Sequence, residues 1–73
     1  MTRNKTIRET LEHYYSKDIP IHIELYSGKW FNGKIVQVHE DRFLFNEEKF
    51  GEMLILFERI KDDGINPRQS KEA

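Results

Sequence analysis

His13, His22 and His39 are the only histidines in the chain, and cysteine is absent. A metal site needs several such donors converging, and no His-x-x-x-His spacing brings two imidazoles to one helix face. Without cysteine, disulfides, thiolate zinc sites and thiol nucleophiles are excluded. Ser16, Ser27 and Ser70 fall at a helix end, a turn and a tail, with no base beside them. Glu47-Glu48 and Asp62-Asp63 are adjacent acidic pairs whose side chains diverge, the wrong geometry for a general acid and base acting on one atom. These residues predict a non-enzyme with no cofactor and no metal. The remaining chemistry is that of aromatics and cations, since a ring can stack on a base and an arginine can bind a phosphate. Trp30 is outward by strand parity and stands near Tyr26, Lys29 and Lys34. It reads either as a binding aromatic or as a ring packed on Tyr14 or Tyr15, or in an interface.

The elements that position these residues follow from periodicity. Thr6 and Glu9 have capping-box spacing, and Ile7, Leu11, Tyr14 and Tyr15 recur at helical intervals, which predicts an amphipathic helix over 6–16. Pro20 then forces Ile19 toward extended geometry, and the period drops to two: Ile21, Ile23 and Leu25 alternate with His22, Glu24 and Tyr26. Ser27-Gly28 supplies a turn. In the next strand, Lys29 to Val38, Gly33 occupies an inward position, the mark of a bend or a close backbone approach. Ile35 and Val38 are three apart, so a bulge after Ile35 is needed to return Val38 to the core.

His39-Glu40-Asp41 makes a charged turn, Arg42 to Asn46 a third strand with Phe43 and Phe45 inward, and Asn46 to Gly51 a polar loop. The fourth strand, Glu52 to Phe57, contains the unbroken run Met53-Leu54-Ile55-Leu56-Phe57, so both of its faces call for cover. Leu54 and Leu56 must then meet the helix or another subunit. Arg59-Ile60-Lys61 reads as a short last strand ended by Asp62-Asp63-Gly64, with a polar, disordered tail after it.

With 73 residues, the chain is one small domain, and such a domain buries only about 60% of its unfolded surface. Twelve basic against 13 acidic side chains argue against a generally basic nucleic-acid coat, though a local basic patch is compatible with them. No apolar run approaches the roughly 20 residues that cross a bilayer, and no apolar signal core follows Met1-Thr2-Arg3-Asn4-Lys5. The expected location is the cytoplasm.

The pattern Ile21-x-Ile23-x-Leu25-x-x-Gly28-x-x-Phe31-x-Gly33-x-Ile35-x-x-Val38 resembles the first motif of the Sm-like (LSm, Hfq-like) family, including the five-residue glycine spacing. The resemblance implies an N-terminal helix followed by a five-stranded, strongly bent small β-barrel of the Sm-like, SH3-like kind. It also implies a homo-oligomeric ring in which the fourth strand of one subunit pairs with the fifth of the next. The interface candidates are Leu54, Leu56 and Ile60. In that geometry the turns after the second and fourth strands line a pore, which makes His39, Arg42, Phe57 and Arg59 the RNA-binding candidates; the alternative is that Phe57 belongs to the core and Arg59 pairs with Glu58 or Asp62. The pocket residues depart from the family. His39 stands where an aspartate is usual, Phe43 replaces the base-contacting asparagine, and Leu56-Phe57 replaces Arg-Gly.

The expectation is therefore one Sm-like domain over 1–63, its barrel at about 19–62, with a disordered tail over 64–73. It is expected to act as an RNA-binding ring of non-standard selectivity. The alternative is a protein-interaction or assembly module that binds no RNA.

Overall fold

The structure, a computed structural model, describes residues 2–68. Helix α1 (Thr2–Ser16) leads into strands β1 (Ile21–Leu25), β2 (Trp30–Val38), β3 (Arg42–Glu47) and β4 (Gly51–Leu56). A single 3-10 turn, Phe57–Arg59, then joins β4 to β5 (Ile60–Pro67). No helix among the described residues is long and apolar enough to cross a membrane.

The helix begins at Thr2, ahead of the capping spacing at Thr6 and Glu9. Thr6 is thus inside the helix, and its carbonyl accepts a bond from the Thr10 hydroxyl at 2.9 Å. Long-range contacts hold the extra first turn. The Arg3 guanidinium donates to the carbonyls of Phe57, at 3.2 Å, and Ile60, and it pairs with Asp62 at 3.5 Å. At the other end Asp18 adopts φ +57°. The Asp18 and Ile19 amides bond back to the carbonyls of Tyr15 and Tyr14, the double bond that closes a helix at a left-handed residue. Ile7 and Leu11 are buried and Tyr14 packs beside them, whereas Tyr15 is half exposed, so the burying stripe is narrower than the periodicity suggests.

The strands form one antiparallel sheet in the order β4-β3-β2-β1-β5. β4 and β5 lie at opposite ends of that order and do not pair, so the sheet is not closed. Inward residues from every strand build the core: Ile21, Ile23, Ile35, Phe43, Phe45, Ile55 and Ile60, with Phe57 from the 3-10 turn and Ile7 and Leu11 from the helix. Phe43 meets Phe45 edge-on at 5.6 Å.

Both irregularities expected in β2 are present. A Cβ on Gly33 would lie 2.1 Å from the Asn46 carbonyl oxygen, so only glycine lets β3 approach there. The β2–β3 register shifts between Ile35 and Gln37, which is the bulge that follows Ile35.

Two corrections concern the ends of the domain. β5 runs through Asp62-Asp63-Gly64 to Pro67 instead of ending there, and the Arg68 amide bonds to the Pro20 carbonyl at 2.9 Å. The acidic pair sits in an irregular stretch of β5. Leu25 pairs with Ile60 and Ile23 with Ile65, Asp63 has φ +59°, and a Cβ on Gly64 would meet the Glu24 carbonyl oxygen at 2.5 Å. Beyond that bend Ile65 is half-buried against the core, so polar composition did not mean the strand had ended. Of the tail expected over 64–73, residues 69–73 lie outside the described residues.

The helix packs mainly on β2 and the 3-10 turn. It leaves the outer face of β4 uncovered: Leu54 is 53% exposed and Leu56 half-buried.

Candidate nucleic-acid interface

The 3-10 turn is a short stitch between two other turns. Its first amide, on Phe57, donates to the Asp41 carbonyl at 2.9 Å, and its last carbonyl, on Arg59, accepts from the Tyr26 amide at 3.0 Å. The β2–β3 turn is itself closed by the His39 amide donating to the Arg42 carbonyl at 2.8 Å. Residues far apart in sequence, namely Tyr26, His39–Arg42 and Phe57–Arg59, are therefore brought to one region of the surface.

The four candidates in that region differ sharply. His39 is exposed. Arg42 is exposed too, but its guanidinium grips Asp41 through two bonds, Nε to Oδ1 at 2.9 Å and a terminal nitrogen to Oδ2 at 3.2 Å. That hydrogen bond holds the Asp41 carboxyl below the usual aspartate range and raises the Arg42 guanidinium further. Arg59 is exposed and forms no ion pair among the described residues; Asp62, a possible partner, takes Arg3 instead. Phe57 is fully buried against Phe43, so its ring offers no stacking face to a ligand.

Ile60 is likewise a core residue, 1% exposed within a single chain, and cannot contribute its side chain to an interface between chains. Phe57 keeps the inward parity of Ile55, and the 3-10 turn then shifts the phase so that Ile60 faces inward too.

Two further residues, Tyr26 and Arg3, lie outside the RNA-binding candidates read from the sequence. Tyr26 is 60% exposed with the Arg3 guanidinium 6.0 Å above its ring and its hydroxyl donating to Asp62 at 3.2 Å. A cleft of about 290 Å³ lies between Leu25, Tyr26, Ser27, Glu58 and Arg59. It combines an aromatic wall with an unpaired guanidinium, the pair of features that can hold a base and a phosphate. Arg3 had no local signal at all, because it precedes the only capping spacing in the N-terminal segment.

On the open face of β1, His22 pairs with Glu24 at 3.4 Å, as its alternation suggests. Lys61 donates to Glu24 at 3.2 Å, and these two contacts, Lys61 first, hold the Glu24 carboxyl below the ordinary range. Among the described residues no group of three histidine or acidic side chains could hold a metal ion. Neither any known family model nor any curated protein matches this chain.

Proposed function

We propose that the chain is an Sm-like subunit that assembles with copies of itself into a ring and binds single-stranded RNA at the surface around the 3-10 turn. The observation that carries the reading is that the sheet ends on two strands, β4 and β5, that have no second strand partner in the chain. β4 and β5 end the sheet on opposite sides, and β4 adds an exposed leucine to its open backbone groups. Such edges pair with another chain unless something blocks them. Pairing β4 of one copy with β5 of the next is a head-to-tail contact, which closes into a ring when the rotation per subunit divides a full turn. The glycine approach and the bulge in β2 support the barrel-like curvature that the Sm-like reading requires.

The RNA half of the proposal rests on Arg59, Tyr26 and His39, with Arg42 held in reserve by Asp41. A ring would repeat this surface in every subunit and turn weak contacts into avidity. A protein confined to the cytoplasm would meet RNA there.

The net charge of −1 and the Arg42–Asp41 closure favour a second reading, in which the same subunit is an assembly module with no RNA role. Binding of short oligo-U, oligo-A and mixed RNAs at two salt concentrations separates the two. The RNA reading expects salt-sensitive binding, with Arg59→Ala lowering the salt slope by about 0.7, the value for one phosphate contact on a single strand. No binding at low salt would leave the assembly module.

A further inference from the structure

The free edge of β5 can be followed residue by residue. Leu25 pairs with Ile60, and the ladder bond beside that pair runs from the Tyr26 amide to the Arg59 carbonyl at 3.0 Å. In an antiparallel ladder, a pair flanked by such bonds turns its own N–H and C=O groups away from each other. Ile60 therefore aims both groups away from β1, at the edge where another strand would have to pair. Both are already engaged within the chain. The Ile60 amide donates to the Phe57 carbonyl in the 3-10 turn, and the Ile60 carbonyl accepts from the Arg3 guanidinium. The other terminal nitrogen of Arg3 reaches the Phe57 carbonyl at 3.2 Å, and Nε pairs with Asp62 at 3.5 Å. The Tyr26 hydroxyl donates to that same aspartate at 3.2 Å and steadies it.

The rest of β5 is a guarded edge as well. Asp63 has φ +59°, its carbonyl accepts from the Asn66 carboxamide at 3.1 Å, and the chain at Gly64 bends in against the Glu24 carbonyl. Pro67 stands opposite Ile21, beside the bond from the Arg68 amide to the Pro20 carbonyl, so by the same alternation it faces the free edge with no N–H to offer. Bulges, charges and proline are the devices that keep a strand edge from pairing at random. Of these, the Arg3 contact alone can be released without reshaping the strand. Its side chain comes from a separate element, α1, which packs on β2 and the 3-10 turn. Between α1 and β5 lies a cleft of about 440 Å³, lined by Arg3, Thr6 and Thr10 from the helix and by Ile60 and Ile65 from the strand. The Arg3 side chain is already 38% exposed, so it has room to swing away.

We propose that Arg3 guards the β5 edge: while its guanidinium holds the Ile60 carbonyl, β4 of a second copy cannot bring an amide there, and assembly requires the side chain to let go. The inference rests on the reading that β4 and β5 pair between copies, and it adds a contact within the chain that opposes that pairing.

The test is sedimentation velocity of the full chain over a dilution series, comparing the native protein with Arg3→Met, Arg3→Lys, and Arg3→Met combined with Leu54→Glu. Arg3→Met keeps an apolar stem beside the cleft and loses every donor. It is expected to assemble at about tenfold lower concentration than the native chain, the effect of no longer breaking a charge-assisted hydrogen bond on association. Arg3→Lys keeps the charge without the planar fork and is expected to fall between the two. The double variant is expected to sediment as a folded monomer, because the gain depends on the exposed face of β4. Circular dichroism and thermal melts accompany each variant. An arginine that only anchors α1 would give a lower melting temperature in Arg3→Met and no gain in assembly. Association of both Arg3 variants at the native concentration, or weaker, would therefore overturn the guard while leaving the pairing of copies intact. Oligomers that persist in the double variant would overturn it too, since they would come from a loosened helix. Monomers throughout, in the native chain and in the Arg3 variants alike, would remove the guard and the assembly reading together.

Discussion

Three backbone amides, those of Asn32, Lys49 and Phe50, donate to the carboxylate of Glu47, which is only 6% exposed at the end of β3. Burial pushes its proton affinity up, but the amides, Phe50 and Lys49 foremost, together outweigh that and leave the carboxyl below its ordinary value near 4.5. A group whose folded value is depressed stabilises the fold fully above its unfolded value and loses that contribution as pH falls through the folded value. Glu47, with Glu24 and Asp41 shifted the same way, should therefore make the melting temperature drop below about pH 4.5. Thermal melts from pH 7 to 3 should show Glu47→Gln less stable than the native chain at pH 7 and less sensitive to acid. Equal acid sensitivity of the two would place the pH dependence elsewhere. Sequence marked Glu47 only as half of an acidic pair in a polar loop. The amides that bind it come partly from β2, fifteen residues earlier, and no local pattern announces such a partner.

At the scale of elements, β2 was legible in detail because its two anomalies are local: a glycine at an inward position and a three-residue gap between apolar residues. Gly33→Ala forces a Cβ into the backbone of β3 and should cost about 3 kcal/mol, the upper part of the overpacking range, lowering the melting temperature by ~10 °C or more. A shift of only a degree or two would mean that β3 yields easily.

The stretch from β4 to β5 was read less well. A continuous apolar run gives the strand but not the point where alternation stops: Phe57 joins the core in step with Ile55, as the core alternative has it, whereas the 3-10 turn shifts the phase and brings Ile60 inward as well. The two sides of this segment should respond differently. Ile60→Ala should destabilise a single folded chain by about 2–5 kcal/mol, as truncation of a buried aliphatic does. Leu54→Glu, at an exposed position on β4, should leave the far-ultraviolet spectrum and the monomer fold unchanged while abolishing self-association. Chemical denaturation combined with gel filtration measures both. Loss of folding in Leu54→Glu would show that this face is already satisfied within one chain.

For the molecule as a whole, the central fact is a sheet with two open ends wrapped on a modest core. A chain of 73 residues leaves about 40% of its unfolded surface in water even when folded, and it has no disulfide to compensate. One strand edge with an exposed leucine and an opposite edge of similar length offer the missing burial through contact with identical neighbours. In the proposed RNA reading, the ring would repeat Arg59, which forms no ion pair among the described residues, in every subunit. The direct test is sedimentation velocity of the purified chain at micromolar concentration. The account predicts one discrete species several times the mass of a single chain, collapsing toward that mass in Leu54→Glu. A native chain that sediments as a folded monomer across the same range would contradict it.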